Sequence, residues 1–161
     1  MKDLAWAVAT LGYVGLMRPA PGTWAALLAL PMGWLAMQGG PFLFTILTVA
    51  LIPLAHWSVR LVTAGQADHD PTEVVIDELL GQWIALLPIA WGSWAAGAPV
   101  GALWPGWVAA FLAFRLFDVW KPWLIGRLDA RRDVWGVIGD DALAGVMAAL
   151  TVIVLAGLAH L

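Results

Sequence analysis

Apolar stretches and short charged blocks alternate along this chain. Arg18 stands alone, the next charges fall in 60–78, and the last block is 115–141. Between them the stretch 19–59 is divided at Gln38-Gly39-Gly40-Pro41 and the stretch 79–114 at Ala96-Gly97-Ala98-Pro99, while 142–161 closes the chain. The pattern predicts five spans near 23–37, 42–60, 79–95, 102–116 and 142–160. Crossing about 30 Å of hydrocarbon takes about 20 helical residues, so the first, third and fourth are short. They are expected to extend into the charged regions, to sit in thinned bilayer, or to be partly buried against other helices. The apolar segment 4–17, with Gly12 and Gly15, reads as either an interfacial helix or a re-entrant loop.

If all five cross, Arg18 and both charged blocks share one face, and the opposite connections carry no charge. Arg115, Lys121, Arg127, Arg131 and Arg132 make that face cytoplasmic by the positive-inside rule. The expectation is an all-α, polytopic helical membrane protein. It has about five transmembrane or membrane-embedded helices, its charged motifs on the cytoplasmic face, and a single domain over 1–161. The N-terminal segment lacks a small-residue cleavage site followed by a soluble domain, so it is not read as a removed signal peptide.

Composition agrees. Of 161 residues, 62% are hydrophobic and 12% charged, against roughly a quarter charged in soluble domains. Many of the twelve tryptophans lie near ends of apolar runs, where indole favours the headgroup boundary. The absence of cysteine excludes thiolate nucleophiles and Cys-based metal sites. A formal charge of −3 argues against nucleic acid as a partner.

Ionisable groups beside hydrocarbon are costly and tend to mark function. Asp77-Glu78 enters the third span and Asp140-Asp141 the last, each pair with a glycine (Gly81, Gly145) four residues beyond one of its members. These glycines leave room under the carboxylates for a headgroup or a neighbouring helix. Either pair alone reads as a charged helix start, with Asp140 as a cap, or as metal ligands. Arg115, Asp118 and Lys121 recur every three residues on one helix face, as an ion-pair ladder or as a metal-binding aspartate flanked by two phosphate-binding cations. Arg18-Pro19-Ala20-Pro21-Gly22-Thr23 is a rigid helix entry with Thr23 as cap, or a cation, N–H groups and hydroxyl offered to phosphate. Asp68-His69-Asp70-Pro71-Thr72 fits the aspartyl-phosphate pattern DxDxT, but no strand precedes it, so that chemistry is set aside. His56, His69 and His160 lack zinc-ligand spacing and are expected to be solvated or interfacial.

Taken together, PAPGTW at 19–24, DPTEVVIDELLGQW at 70–83, FRLFDVWKPW at 114–123 and GVIGDDALAG at 136–145 resemble the bacterial phosphatidylglycerophosphatase A family, in order and spacing over most of the chain. Departures are Ala25-Ala26 where the family usually has Gly-Ser, Leu124 where it often has proline, and Gly139 where it has a hydrophobic residue. The resemblance implies hydrolysis of phosphatidylglycerol phosphate to phosphatidylglycerol and inorganic phosphate, with Mg²⁺, at the cytoplasmic face of a bacterial inner membrane. A phosphate dianion approaches Asp77, Glu78, Asp118, Asp140 and Asp141 only if divalent cations bridge them. Oxygen ligands suit Mg²⁺, one or two ions, or Mn²⁺.

The expected mechanism is metal-assisted attack by water, with a nucleophilic aspartate as the alternative. The five carboxylates are the catalytic and metal-binding set. Arg18, Thr23, Arg115 and Lys121 are the phosphate-binding set. Competing readings are a phosphatase or phosphotransferase acting on another lipid phosphate, and a small transporter or non-catalytic lipid-binding protein. The transporter reading needs ionisable groups towards the membrane middle, where there are none. Abundant Gly and Ala suit close helix contacts, within one chain or in an oligomer.

Overall fold

The computed structural model describes residues 1–66 and 70–159. Asp68, His69 and His160 therefore lie outside the described residues, and with them most of the DxDxT pattern. The described residues are helical, without strands. The helices are α1 (Lys2–Ala9), α2 (Pro21–Met37), α3 (Gly40–Thr63), α4 (Ile76–Ala95), α5 (Trp104–Trp120), α6 (Leu124–Asp129) and α7 (Val134–Ala159).

Five of these correspond to the expected spans; α3, α4, α5 and α7 extend into the charged regions, whereas α2 (Pro21–Met37) carries no charge and stays short. Three are long and apolar enough to cross a membrane: Gly40–Thr63, Val100–Trp120 including a 3₁₀ turn ahead of α5, and Val134–Ala159. Helix α4 is the interior one. Leu79, Leu80, Leu86 and Ile89 are buried, and α4 contacts α2, α3, α5 and α7. In hydrocarbon, apolar burial drives little helix association, so close packing by small residues decides the geometry. A Cβ on Gly145 would sit 2.3 Å from the Gly81 carbonyl oxygen, and one on Gly81 would sit 2.6 Å from the Asp141 carbonyl oxygen. The space under the carboxylates is thus filled by the facing helix, not by a headgroup. Trp83 adds a hydrogen bond from its Nε1 to the Ala29 carbonyl at 3.0 Å, tying α4 to α2.

Segment 4–17 is neither a span nor a long interfacial helix. Helix α1 has eight residues, about 12 Å. The chain then reverses through Leu11, Gly12 and Tyr13, all at positive φ, and makes a 3₁₀ turn over Val14–Leu16. Thr10 holds the reversal, donating to the Trp6 carbonyl and accepting from the Tyr13 N–H. Val75 N–H donates to the Ala9 carbonyl at 2.8 Å, fastening this reversal to the start of α4.

Two expected helix starts are corrected. Helix α2 begins at Pro21, whose fixed φ and missing N–H suit the first turn, so Thr23 lies inside the helix and caps nothing. Helix α7 begins at Val134, about two turns before Asp140. Its cap is Asp133, whose Oδ1 accepts from the Gly136 N–H at 2.7 Å. That bond and the Arg131 pair, with the Arg131 hydrogen bond the larger cause, hold the Asp133 carboxyl below its usual pKa. His56, half-buried, packs against Trp135 of α7 with ring centroids 4.7 Å apart and the planes tilted by 35°.

Candidate phosphate and metal site

Four helix ends meet at the charged face. The starts of α2 and α4, the end of α5 and the first turns of α7 enclose a pocket of about 360 Å³. Asp77, Glu78, Asp118, Asp140 and Asp141 all line it, with Arg18, Arg115 and Lys121. Thr23 does not, because the lining from α2 stops at Gly22.

The five acids divide into two kinds. Asp77, Glu78 and Asp141 each offer an oxygen such that the three atoms lie within 4.8 Å of one another. None of these three has an ion pair among the described residues, and Glu78 Oε2 is buried without a hydrogen-bond partner. Asp77 Oδ1 accepts the Glu78 backbone N–H at 3.2 Å. Three carboxylates facing one another, Asp77 and Asp141 buried and Glu78 half-buried, are costly unless a cation sits among them. All-oxygen donors and an orphaned buried lone pair fit a hard divalent ion. Gly22 shapes the cradle: a Cβ there would fall 2.2 Å from Glu78 Oε1 and 3.3 Å from Arg115 Nη1.

Asp118 and Asp140 are instead paired with cations. Arg115 Nη1 donates to Asp118 Oδ2 one helical turn on. Lys121 departs from the expected ladder, because α5 ends in a left-handed residue at Lys121, which turns its side chain away from Asp118. Its Nζ reaches Asp140 Oδ2 at 2.7 Å and also Asp129. Burial opposes the ammonium charge, but the bonds to Asp129 and Asp140 outweigh it and push the Lys121 pKa above its ordinary value. Arg18 is largely exposed and pairs with Glu73 at 3.0 Å.

Asp70 and Thr72, set aside in the sequence with the DxDxT pattern, line the pocket, and other contributors were not singled out at all. Glu73, in the turn before α4, and Asp129, the last residue of α6, are counter-ions of Arg18 and Lys121. Gln82, one turn below Glu78 on α4, is fully buried with neither amide atom hydrogen-bonded. The available signal was a lone amide in an otherwise apolar helix.

Comparison with known proteins adds the following. The family model for phosphatidylglycerophosphatase A matches residues 7–156. Phosphatidylglycerophosphatase A of Escherichia coli is 33% identical over 89% of this chain and 79% of its own length. That of Haemophilus influenzae is 33% identical over 86% and 80%. A protein of Bacteroides thetaiotaomicron, whose name provisionally assigns it phosphatidylinositol-3-phosphatase activity, is 35% identical over 79% and 77%. No solved structure matches the chain. The matched region contains all five acids and the three cations that line the pocket, and the chain belongs to the phosphatidylglycerophosphatase A family.

Proposed function

We propose that this protein hydrolyses phosphatidylglycerol phosphate to phosphatidylglycerol and inorganic phosphate, as a Mg²⁺-dependent step of phospholipid biosynthesis at the cytoplasmic face of a bacterial inner membrane. The observation that carries the reading is the Asp77, Glu78 and Asp141 cluster, its oxygens within 4.8 Å, in a pocket that also holds Arg115 and Lys121. Family membership and the names of the E. coli and H. influenzae relatives support the substrate.

Asp77, Glu78 and Asp141 are the residues that would hold Mg²⁺, as one or two ions, with Mn²⁺ as the substitute and Asp118 and Asp140 beside them. When bound, the metal supplies Lewis-acid stabilisation of phosphoryl and leaving-group oxygens and orients water. The remaining work falls to the chain. Arg115 and Lys121, each already facing a carboxylate, are positioned to exchange part of that pairing for phosphate oxygens. Arg18, exposed at the mouth, supplies a third cation for a lipid arriving from the membrane surface. Burial of the cluster limits water to what the phosphate leaves room for.

The test is phosphate release from phosphatidylglycerol phosphate by the purified full chain in detergent, with Mg²⁺ and with chelator. Asp77→Asn and Asp141→Asn are each expected to lower kcat by about 100-fold or more while the helical circular dichroism is kept. Release that persists in chelator would remove the metal from the reading. The Bacteroides relative favours one second reading, that another lipid phosphate is the better substrate. Parallel assays on phosphatidic acid and a phosphatidylinositol 3-phosphate separate the two.

A further inference from the structure

A second concavity is lined by residues that follow Lys121 and Asp140 of the carboxylate pocket in sequence. Pro122, Trp123, Leu124 and Ile125, where α5 passes into α6, face Leu143 and Met147 of α7 across about 110 Å³. All six lining side chains are apolar. The Lys121–Asp140 ion pair, whose members line the first pocket, stands within one residue of Pro122 and one helical turn of Leu143. Pro122 follows Lys121 directly. Leu143 and Met147 follow Asp140 by three and seven residues, so they descend the same face of α7. Met147 lies about 10 Å along the helix from Asp140, on the side away from the charged end.

We propose that this groove takes the first methylenes of one acyl chain of a phosphate-bearing lipid, with the headgroup at Lys121 and the chain descending along α7. The inference rests on the reading of the carboxylate pocket as a lipid-phosphate site. The occupant follows from shape and continuity. Its lining begins at Pro122, beside Lys121 of the polar pocket, and reaches Met147, farther along α7 from the charged end. A volume of about 110 Å³ is too small for a helix about 10 Å across and suits a few methylenes of an alkyl chain. Ile125 is buried beneath it, while Trp123 and Leu124 are exposed at its rim, and Trp123 places its indole at the headgroup level. Because the surrounding bilayer is as apolar as the groove, chain binding acts chiefly by orienting the phosphate ester, and its effect is expected in the reaction with long chains.

Two measurements on the full chain test this. In detergent, kcat/KM is compared for dioleoyl and dibutanoyl phosphatidylglycerol phosphate, the short chains ending above Met147. Met147→Trp, which fills the deep end, is expected to lower the long-to-short ratio by about tenfold. Ile46→Trp, on an exposed stretch of α3, should leave the ratio where it was. An unchanged ratio in Met147→Trp would overturn the proposal. The second measurement uses the unaltered chain and does not depend on hydrolysis. A phosphatidic acid with a diazirine in its acyl chain should crosslink within 122–125 and 143–147, displaced by excess phosphatidic acid but not by phosphatidylcholine. Crosslinks spread evenly over exposed helix faces, or not displaced, would also overturn the groove. Displaceable crosslinks without hydrolysis of phosphatidylglycerol phosphate would keep the groove and sink the proposed substrate.

Discussion

Lys121 works as a hinge of charge, joining the end of α5 to α6 through Asp129 and to α7 through Asp140. Its folded pKa is raised, so its stabilising contribution is complete below the ordinary value of 10.5 and is lost only as pH rises beyond it. Phosphate release should therefore show no alkaline limb from this group below about pH 10. Lys121→Met is expected to raise KM about tenfold or more, and a pH–rate profile with a wild-type limb near pH 9 would contradict the assignment. Gln82 makes the opposite kind of prediction. Its two amide atoms are buried without partners, and each such group costs about 1–3 kcal/mol. Gln82→Met is expected to stabilise the protein by about 1 kcal/mol or more in reversible unfolding; a loss of stability would reveal a partner for the amide. The five acids were legible because charge is rare in apolar sequence, whereas Gln82 carries none and disappears into the run LLGQWIALL. Glu73 and Asp129 were illegible for another reason, since a counter-ion that lies on a different element from its cation, or in a turn, has no fixed spacing from it.

At the level of elements, Gly81 and Gly145 bring α4 and α7 to backbone contact, and that contact sets Asp141 beside Asp77 and Glu78. The pairing was half legible: the glycine four residues after each acid marks a face without bulk, but not which helix fills it. Gly145→Val would drive side-chain carbons into the Gly81 carbonyl, whose distance from a Cβ is already 2.3 Å, and overpacking of this kind costs about 1–3 kcal/mol. The expected outcome is a folded but less stable chain whose apparent Mg²⁺ requirement rises several-fold, because the cluster is widened rather than deleted. Gly157→Val, where a Cβ meets nothing within 4 Å, is the control, and an equal loss in both would remove the close crossing from the explanation. The start of α7 was misread because VWGVIG is apolar yet follows a charged block, so the acids at 140–141 looked like the helix entrance. The signal that marks the true entrance is Asp133 three residues ahead of Gly136, an aspartate positioned to accept from a first-turn N–H.

For the molecule as a whole, helix lengths set the depth of the site. Eighteen residues separate Asp77 from Ala95 at the end of α4, and eighteen separate Asp141 from Ala159 at the end of α7. Each distance is about 27 Å along the axis, close to one hydrocarbon thickness of about 30 Å. With the uncharged ends at one boundary, both acidic pairs reach the other, and the first turns of α7 project beyond it. Tryptophans bracket the same slab: Trp94 and Trp104 are exposed at the uncharged end, and Trp120 and Trp123 at the charged end. Charge asymmetry then orients the slab, because Arg60, Arg115, Arg127, Arg131 and Arg132 all belong to the acidic end. The absence of cysteine makes the orientation directly measurable, since any introduced thiol is the sole one. Ala96 and Ala130 are exposed alanines in turns at opposite ends, so replacing them alters no charge. In intact spheroplasts a membrane-impermeant maleimide is expected to label Ala96→Cys at once and Ala130→Cys only after permeabilisation. The reverse pattern would place the phosphate pocket on the outer face, and labelling of both in intact cells would mean that the two ends do not lie on opposite sides of the bilayer.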